Sequence, residues 1–259
     1  MRERNVRLEG RTCLITGASS GLGAHFARIC AAEGARVVLG ARRRERLAAL
    51  VDELAGLGRE ALAVDLDVTA EASQIAAFDA AAERFGPVDT VIANAGISAP
   101  ARSTEVSIET VRALFATNFD GAFLTAREAA RRMIAAGSRE SGRGRILLVG
   151  SMGAEVHVAG EVVYGASKAA VARLGKGLAT EWVRMGINVN TIQPGFIATE
   201  MAHGWFESEA GKAQIASFPR RRLQPIESLD ETVLFLCSDA AANVTGSVFT
   251  IDDGQRLSG

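Results

Sequence analysis

Tyrosine, lysine, cysteine and tryptophan are scarce in this 259-residue chain. It has one Tyr, two Trp and three Cys, and only three of its 29 basic side chains are lysines (Lys168, Lys176, Lys212). The cysteines, Cys13, Cys30 and Cys237, lie far apart in apolar stretches. Metal sites and disulfide frameworks use clustered or paired cysteines, so no metal is expected and the thiols read as reduced and buried in a cytoplasmic protein. No stretch approaches the ~18 uninterrupted apolar residues of a membrane span. The Arg-rich opening, residues 1–11, lacks the apolar core of a secretory signal. With a net charge of -1 there is no basic excess to attract phosphate backbones or anionic lipid, so neither nucleic acid nor a membrane is an expected partner. Linkers, low-complexity tracts and internal repeats are also missing. The remainder, 48% apolar and 23% charged, is ordinary globular composition, and residues 1–259 are expected to form a single domain.

Short apolar or β-branched runs alternate with longer helical patterns. Strands are expected at 12–16, 36–39, 61–64, 90–93, 146–149, 187–192 and 248–251. Between them, stretches such as 22–32, 44–57 and 72–85 carry apolar residues at spacings of three and four. The run 106–136 reads as one helix, or two joined at a kink, and another helix spans about 162–185. This alternation implies right-handed βαβ crossovers: an α/β, Rossmann-type, doubly wound parallel sheet of about seven strands with helices on both faces. Ligands of such sheets bind beyond the carboxyl ends of the strands.

Glycine is in excess, with 27 residues, and the excess directs attention to sites that need a bare backbone. The first strand runs into Thr16-Gly17-Ala18-Ser19-Ser20-Gly21-Leu22-Gly23 and then a helix. Glycines at such a turn let the backbone approach a pyrophosphate, while the helix N-terminus offers it N–H groups and positive dipole. A P-loop would end in Gly-Lys-Ser/Thr, and no lysine is present. The segment 17–21 also fits the G-x-S-x-G nucleophile elbow of a hydrolase. That elbow would need an acid and a later histidine, and none of His25, His157 and His203 sits in a recognisable context. Beyond the second strand, no acid occurs from Val37 through Arg44, where an NAD site would place one for the ribose 2′-hydroxyl. Arg42 and Arg43 stand there instead, and guanidinium groups suit a 2′-phosphate. NADP is therefore the expected cofactor, ahead of NAD.

The only tyrosine, Tyr164, lies four residues before Lys168, and three lysines in 259 residues make a chance lysine there an event of about 1%. On a helix the two side chains share a face. An adjacent ammonium stabilises phenolate and would pull the tyrosine below its reference value of about 10, making it a usable acid or base. Ser151 follows the fifth strand, at the ligand end of the sheet, where its hydroxyl could orient a carbonyl oxygen or simply cap a turn. Asn118 interrupts the apolar pattern between Phe115 and Phe119 and by itself reads as a helix-kink residue.

With these motifs in this order along nearly the whole chain, the sequence resembles the short-chain dehydrogenase/reductase family, in its short single-domain branch. The resemblance implies that residues 16–23 are the family's glycine loop, with Gly17, Ser19, Ser20, Gly21, Leu22 and Gly23 against the cofactor. It implies that Asp67 beside Val68 contacts the adenine, with Asp65 a competitor. The family's Asn-Asn-Ala-Gly motif appears as Ala93-Asn94-Ala95-Gly96, alanine replacing the first asparagine. Pro194 and Gly195 match the motif after strand six, and Ile197 and Thr199 match the nicotinamide-carboxamide contacts. Asn118, Ser151, Tyr164 and Lys168 fall at the catalytic tetrad positions. The implied reaction is ketone reduction by NADPH. Tyr164 would donate the proton, Lys168 bind the nicotinamide ribose, Ser151 hold the carbonyl oxygen and Asn118 secure a water leading to Lys168. The implied substrate is a 3-oxoacyl thioester or another moderately apolar carbonyl compound, or the corresponding alcohol. A catalytically silent NADP-binding sensor or scaffold of the same fold is the alternative. Residues 196–222, with Met201, His203, Trp205, Phe206 and Phe218, would form a substrate lid, and Arg220, Arg221 and Arg222 would meet an anionic tail or solvent. A homotetramer, or a homodimer, is the implied assembly.

Overall fold

The structure is a computed structural model that describes residues 6–200 and 204–257. Seven strands form one parallel sheet: β1 Thr12–Thr16, β2 Arg36–Ala41, β3 Ala61–Asp65, β4 Thr90–Ala93, β5 Gly144–Val149, β6 Ile187–Pro194 and β7 Val248–Ile251. Their order is β3-β2-β1-β4-β5-β6-β7. The helices are α1 Gly21–Ala32, α2 Arg44–Gly56, α3 Glu71–Phe85, α4 Ile108–Phe115, α5 Gly121–Ala135, α6 Ser138–Ser141, α7 Val162–Trp182, α8 Glu209–Ser217 and α9 Asp230–Cys237.

Alternate strand residues point to opposite faces. Cys13 and Ile15 of β1, Val37 and Leu39 of β2, and Leu147 and Val149 of β5 pack with α1, α2 and α9. The intervening Leu14, Val38, Ile146 and Leu148 pack with α3, α5 and α7. A parallel sheet covered on both faces has no solvated side to mark with polar residues, which is why its strands read as continuous apolar runs. All three cysteines are buried and free, within the first of these cores.

Several strands are longer than their apolar runs suggest. β2 continues to Ala41, β3 to Asp65 and β6 to Pro194, and β5 starts at Gly144, since ladder pairing is made by backbone rather than side chains. The 106–136 segment resolves into α4 and α5 joined through a π-helical turn, Ala116–Asp120. α7 closes at Trp182 into a 3₁₀ turn, Val183–Met185. The sheet order reverses between β1 and β4, which opens a crevice at their carboxyl ends.

Candidate active site

The crevice is shaped by Thr16 at the end of β1. Its hydroxyl accepts hydrogen bonds from the backbone N–H groups of Asn94 and Ala95, each at 3.0 Å, and Asn94 Nδ2 donates to its carbonyl at 2.9 Å. The ends of β1 and β4 are thereby tied together. Gly17 adopts φ +68°, and a Cβ there would come within 2.9 Å of Ala95 Cα. A Cβ at Gly23 would lie 2.3 Å from the Gly17 carbonyl oxygen. Both glycines are dictated by close backbone approach, and they leave a cradle at the N-terminus of α1. A cavity of about 1030 Å³ runs from this cradle across the crevice. Gly17, Ser19, Ser20, Gly21 and Leu22 line one end, and Asn94, Ala95 and Gly96 lie behind them. Pro194, Gly195, Ile197 and Thr199 form part of the far wall. Gly23 lies beneath the loop rather than on the cavity surface.

Arg42 and Arg43 flank the cradle. Arg43 donates to Ser19 Oγ at 3.0 Å and to Ser20 Oγ, and it pairs with Glu200 at 3.3 Å. Asp67 accepts from the Thr69 N–H at 3.0 Å and the Thr69 hydroxyl at 2.8 Å. These bonds, with a contribution from the Arg42 charge, hold its carboxyl below the usual range. Of the two competing acids, Asp67 lines the cavity with Val68, while Asp65 is engaged by Arg44. The nucleophile-elbow alternative finds no support. The Ser19 hydroxyl takes a guanidinium, His25 is bonded to Asp230 at 2.6 Å, and His157 is exposed.

Ser151, Tyr164 and Lys168 face the same cavity. The serine follows β5, and the other two lie one turn apart on α7. The Ser151 side chain lies near enough to the tyrosine hydroxyl to favour its ionised form, and Ser151 Oγ accepts from the Gly153 N–H at 3.1 Å. Lys168 is only 4% exposed; its Nζ donates to the Val149 carbonyl at 2.9 Å and sits 5.7 Å from the centre of the Tyr164 ring. Asn118 occupies the π-helical turn, as π-bulges at functional sites often do. Its Oδ1 accepts from Ile97 N at 2.8 Å, and its Nδ2 donates to Ile97 O and Ser167 Oγ, both at 3.0 Å. It is thus a brace linking the β4 exit to α7, just outside the cavity wall.

One expectation is overturned. Lys168 does not draw the tyrosine down: burial pushes Tyr164 up to about 12, the nearby Ser151 side chain offsets part of this, and the Glu161 charge adds to it. Burial also lowers Lys168 to about 8. Desolvation disfavours the charged form of both groups, and the ammonium lies over the ring and is bonded to a carbonyl. The phenol is consequently fully protonated at neutral pH, ready to act as an acid.

Phe196, Trp205, Phe206, Ala210 and Gln214 line the outer wall. Phe218 stacks on Phe196 at 5.5 Å from behind and supports that wall without lining it. Arg220 and Arg222 pair with Asp253 at 3.3 and 2.8 Å, and Arg221 is exposed, so none of the three faces the cavity. Met201 and His203 lie outside the described residues. Sequence reasoning overlooked Glu161 and Ser98, which line the cavity and are hydrogen-bonded to each other. The spacing of Glu161, three residues before Tyr164 on one helix face, was the signal that could have found it.

Comparison with known proteins agrees with this geometry. The short chain dehydrogenase family model matches residues 11–210. A D-threitol dehydrogenase of Mycolicibacterium smegmatis is 35% identical over 253 residues, covering 98% of this chain and 95% of that protein. A gluconate 5-dehydrogenase of Gluconobacter oxydans is 34% identical over 252 residues, covering 97% and 96%. The crystal structure of a gluconate 5-dehydrogenase from Burkholderia cenocepacia J2315, in complex with NADP and tartrate, superposes with a TM-score of 0.91 at 32% identity, covering 98% of each chain. With its glycine cradle, its Ser151, Tyr164 and Lys168 cluster and these relatives, the chain belongs to the short-chain dehydrogenase family of oxidoreductases.

Proposed function

We propose that this protein interconverts a ketone and a secondary alcohol by hydride transfer with NADP(H). One observation carries the reading: Tyr164, with Ser151 and Lys168 beside it, lines a cavity continuous with the glycine cradle. The residues suit the dinucleotide. Any Cβ at Gly17 or Gly23 would collide with the backbone of the cradle, and Arg42 and Arg43 offer cations where a 2′-phosphate would lie. When bound, the dinucleotide supplies the hydride. In reduction, Tyr164 gives its phenolic proton to the carbonyl oxygen. Ser151 holds that oxygen and supports the phenolate by hydrogen bonding. Lys168, at about 8, can carry a proton at working pH and restore it to the tyrosine. Asn118 keeps the Ile97 backbone and α7 in register.

Asp67 and Val68 would border the adenine, Asn94, Ala95 and Gly96 the ribose side, and Ile197 and Thr199 the carboxamide. Residues 196–222 would cover the substrate within a single-domain molecule, and the molecule would assemble as a homotetramer. The relatives are named for a neutral polyol and for an aldonate, so their names point to alcohols of different charge. The 3-oxoacyl thioester finds no support among these three relatives.

Reduction of a ketone panel followed at 340 nm, the absorbance of the reduced nicotinamide, tests the reading. NADPH should show a lower KM than NADH. Tyr164→Phe should lower kcat by at least about 100-fold, the lower range of general-acid catalysis, with NADPH affinity by fluorescence titration unchanged. Equal KM values would remove the assignment of Arg42 and Arg43. Retention of more than about a tenth of the rate would remove Tyr164 as the acid. NADPH binding without turnover of any ketone would favour a silent sensor.

A further inference from the structure

Glu161 is the one cavity-lining carboxylate that the proposed chemistry leaves without a task in the substrate chamber. It sits one turn before Tyr164, on the same face, and its charge reaches the tyrosine hydroxyl. The cavity it lines is part apolar, with Pro100, Val158, Phe196 and Phe206, and part polar, with Ser98, Ser151, Tyr164 and Gln214. Among the described residues no cation pairs with it. Its side-chain partner is Ser98, whose single hydroxyl hydrogen is shared between the two carboxylate oxygens at 2.7 and 2.9 Å. A carboxylate offers about four acceptor positions, so most of its capacity remains open toward the chamber.

A structural role does not account for the residue. Glu161 is the N-cap of α7, yet its side chain makes no capping hydrogen bond. Burial raises its carboxyl above the ordinary range, and its charge makes the neighbouring tyrosine harder to ionise. An apolar residue at this position would avoid both costs. A half-buried, underused carboxylate in a ligand chamber is instead suited to a donor that arrives with the ligand.

We propose that Glu161, held in place by Ser98, determines specificity by accepting a hydrogen bond from a substrate hydroxyl remote from the reacting carbon. It thereby selects uncharged hydroxylated ketones and alcohols over carboxylate-bearing ones. The inference rests on the oxidoreductase reading and narrows its substrate class. The hydroxyl donor satisfies an open lone pair of Glu161, whereas a substrate carboxylate brought to the same position meets like charge and has no proton to donate to it.

Three ketones of one carbon frame test this: cyclohexanone, 4-hydroxycyclohexanone and 4-oxocyclohexanecarboxylate, each reduced with saturating NADPH. The wild-type protein should prefer the hydroxyketone to the plain ketone by about tenfold or more in kcat/KM, as expected for a hydrogen bond to a charged group. The carboxylate should rank last, and the differences should lie mainly in KM, because the contact is made equally in ground and transition states. Glu161→Gln should raise kcat/KM for the carboxylate at least tenfold while keeping part of the hydroxyketone preference. Glu161→Leu should abolish that preference. NADPH affinity and melting temperature serve as controls for folding in both variants. A wild-type protein that ranks the carboxylate with or above the hydroxyketone overturns the proposal. So do variants that change all three ketones by one common factor. Absence of reduction of all three by a wild-type protein that binds NADPH would sink the oxidoreductase reading and this inference together. A flat ranking with good turnover sinks this inference alone.

Discussion

Lys168 is buried, carries one hydrogen bond to a carbonyl and has no carboxylate beside it; burial lowers it from 10.5 to about 8. In the unfolded chain it titrates near the ordinary value of about 10.4. At pH 7 both states are protonated and the folded one bears the cost of a desolvated ammonium. Between about 8 and 10.5 the unfolded chain binds more protons than the folded one, so this residue makes stability rise with pH. Tyr164, near 10 when unfolded and about 12 when folded, binds more protons in the folded state above about pH 10 and opposes the effect at the top of that window. It is common to wild type and a Lys168 variant, however, and so cancels in their comparison. A displacement of this size corresponds to about 3 kcal/mol. Lys168→Met keeps most of the volume and removes the charge, but it leaves the Val149 carbonyl unpaired at a cost of about 1 kcal/mol. The variant is expected to be inactive and about 1–3 kcal/mol more stable than wild type at pH 7, with the advantage shrinking at pH 10. Urea unfolding at the two pH values measures this, and a variant less stable at pH 7 would contradict it. The pairing of Tyr164 with Lys168 was legible from their spacing alone. The direction of the tyrosine shift was not, because it depends on how much water the surrounding elements exclude, and that is set by residues distant in the chain.

The cradle and the π-helical turn show what an element must give up to hold a site. In α1 the first turn runs so close to the loop that Gly23 has no room for a methyl group: the atoms it would meet include the Gly17 carbonyl and Asn94 Nδ2, the latter 2.6 Å away. Gly23→Ala must therefore push α1 off the loop or break the Asn94 link to Thr16. NADPH affinity should fall at least about tenfold, with a smaller loss in thermal stability, since misplacing oriented groups by even ~1 Å can cost ~100-fold. An unchanged dissociation constant by fluorescence titration would show that the loop does not depend on this approach. The spacing of the glycines between a strand and a helix is enough to reveal the cradle. Asn118 marks the π-helical turn, as a polar residue inside an apolar helical run, although the pattern points only to a kink. The extra residue of that turn aims the asparagine at Ile97 and Ser167, and no local periodicity encodes that. The helices after β6 are harder still to read. α9 buries Val233, Leu234, Leu236 and Cys237, but eight residues are too few for a periodic signal to separate a helix from a buried strand.

At the scale of the molecule, the sheet ends on β7, an edge strand whose four residues, Val248 to Ile251, are all only half-buried. An edge presents unpaired backbone groups and invites another chain. Native edges are usually blunted by charge, proline or a covering element. β7 contains neither charge nor proline. Phe249 and Ile251 turn inward against the core of α1, α2 and α9, which leaves Val248 and Thr250 on the other face. The parallel layering was legible from alternation of strand and helix, because it follows from crossover handedness within one chain, whereas the order of the strands is seen only in the folded sheet. The assembly is written in exposed surface, which only the folded molecule defines. A second copy laid along β7 would cover its half-exposed side chains. Light scattering at micromolar concentration should accordingly give about four times the 27.2 kDa chain mass. Val248→Lys places a charge on the open face of the edge without touching the inward contacts of Phe249 and Ile251, and it should reduce the particle to dimers with unchanged circular dichroism. A wild-type monomer would remove the tetramer. A tetramer that survives Val248→Lys would move its interface away from β7, to the outer faces of α4, α5 and α7, where Ile108 and Val162 stand exposed.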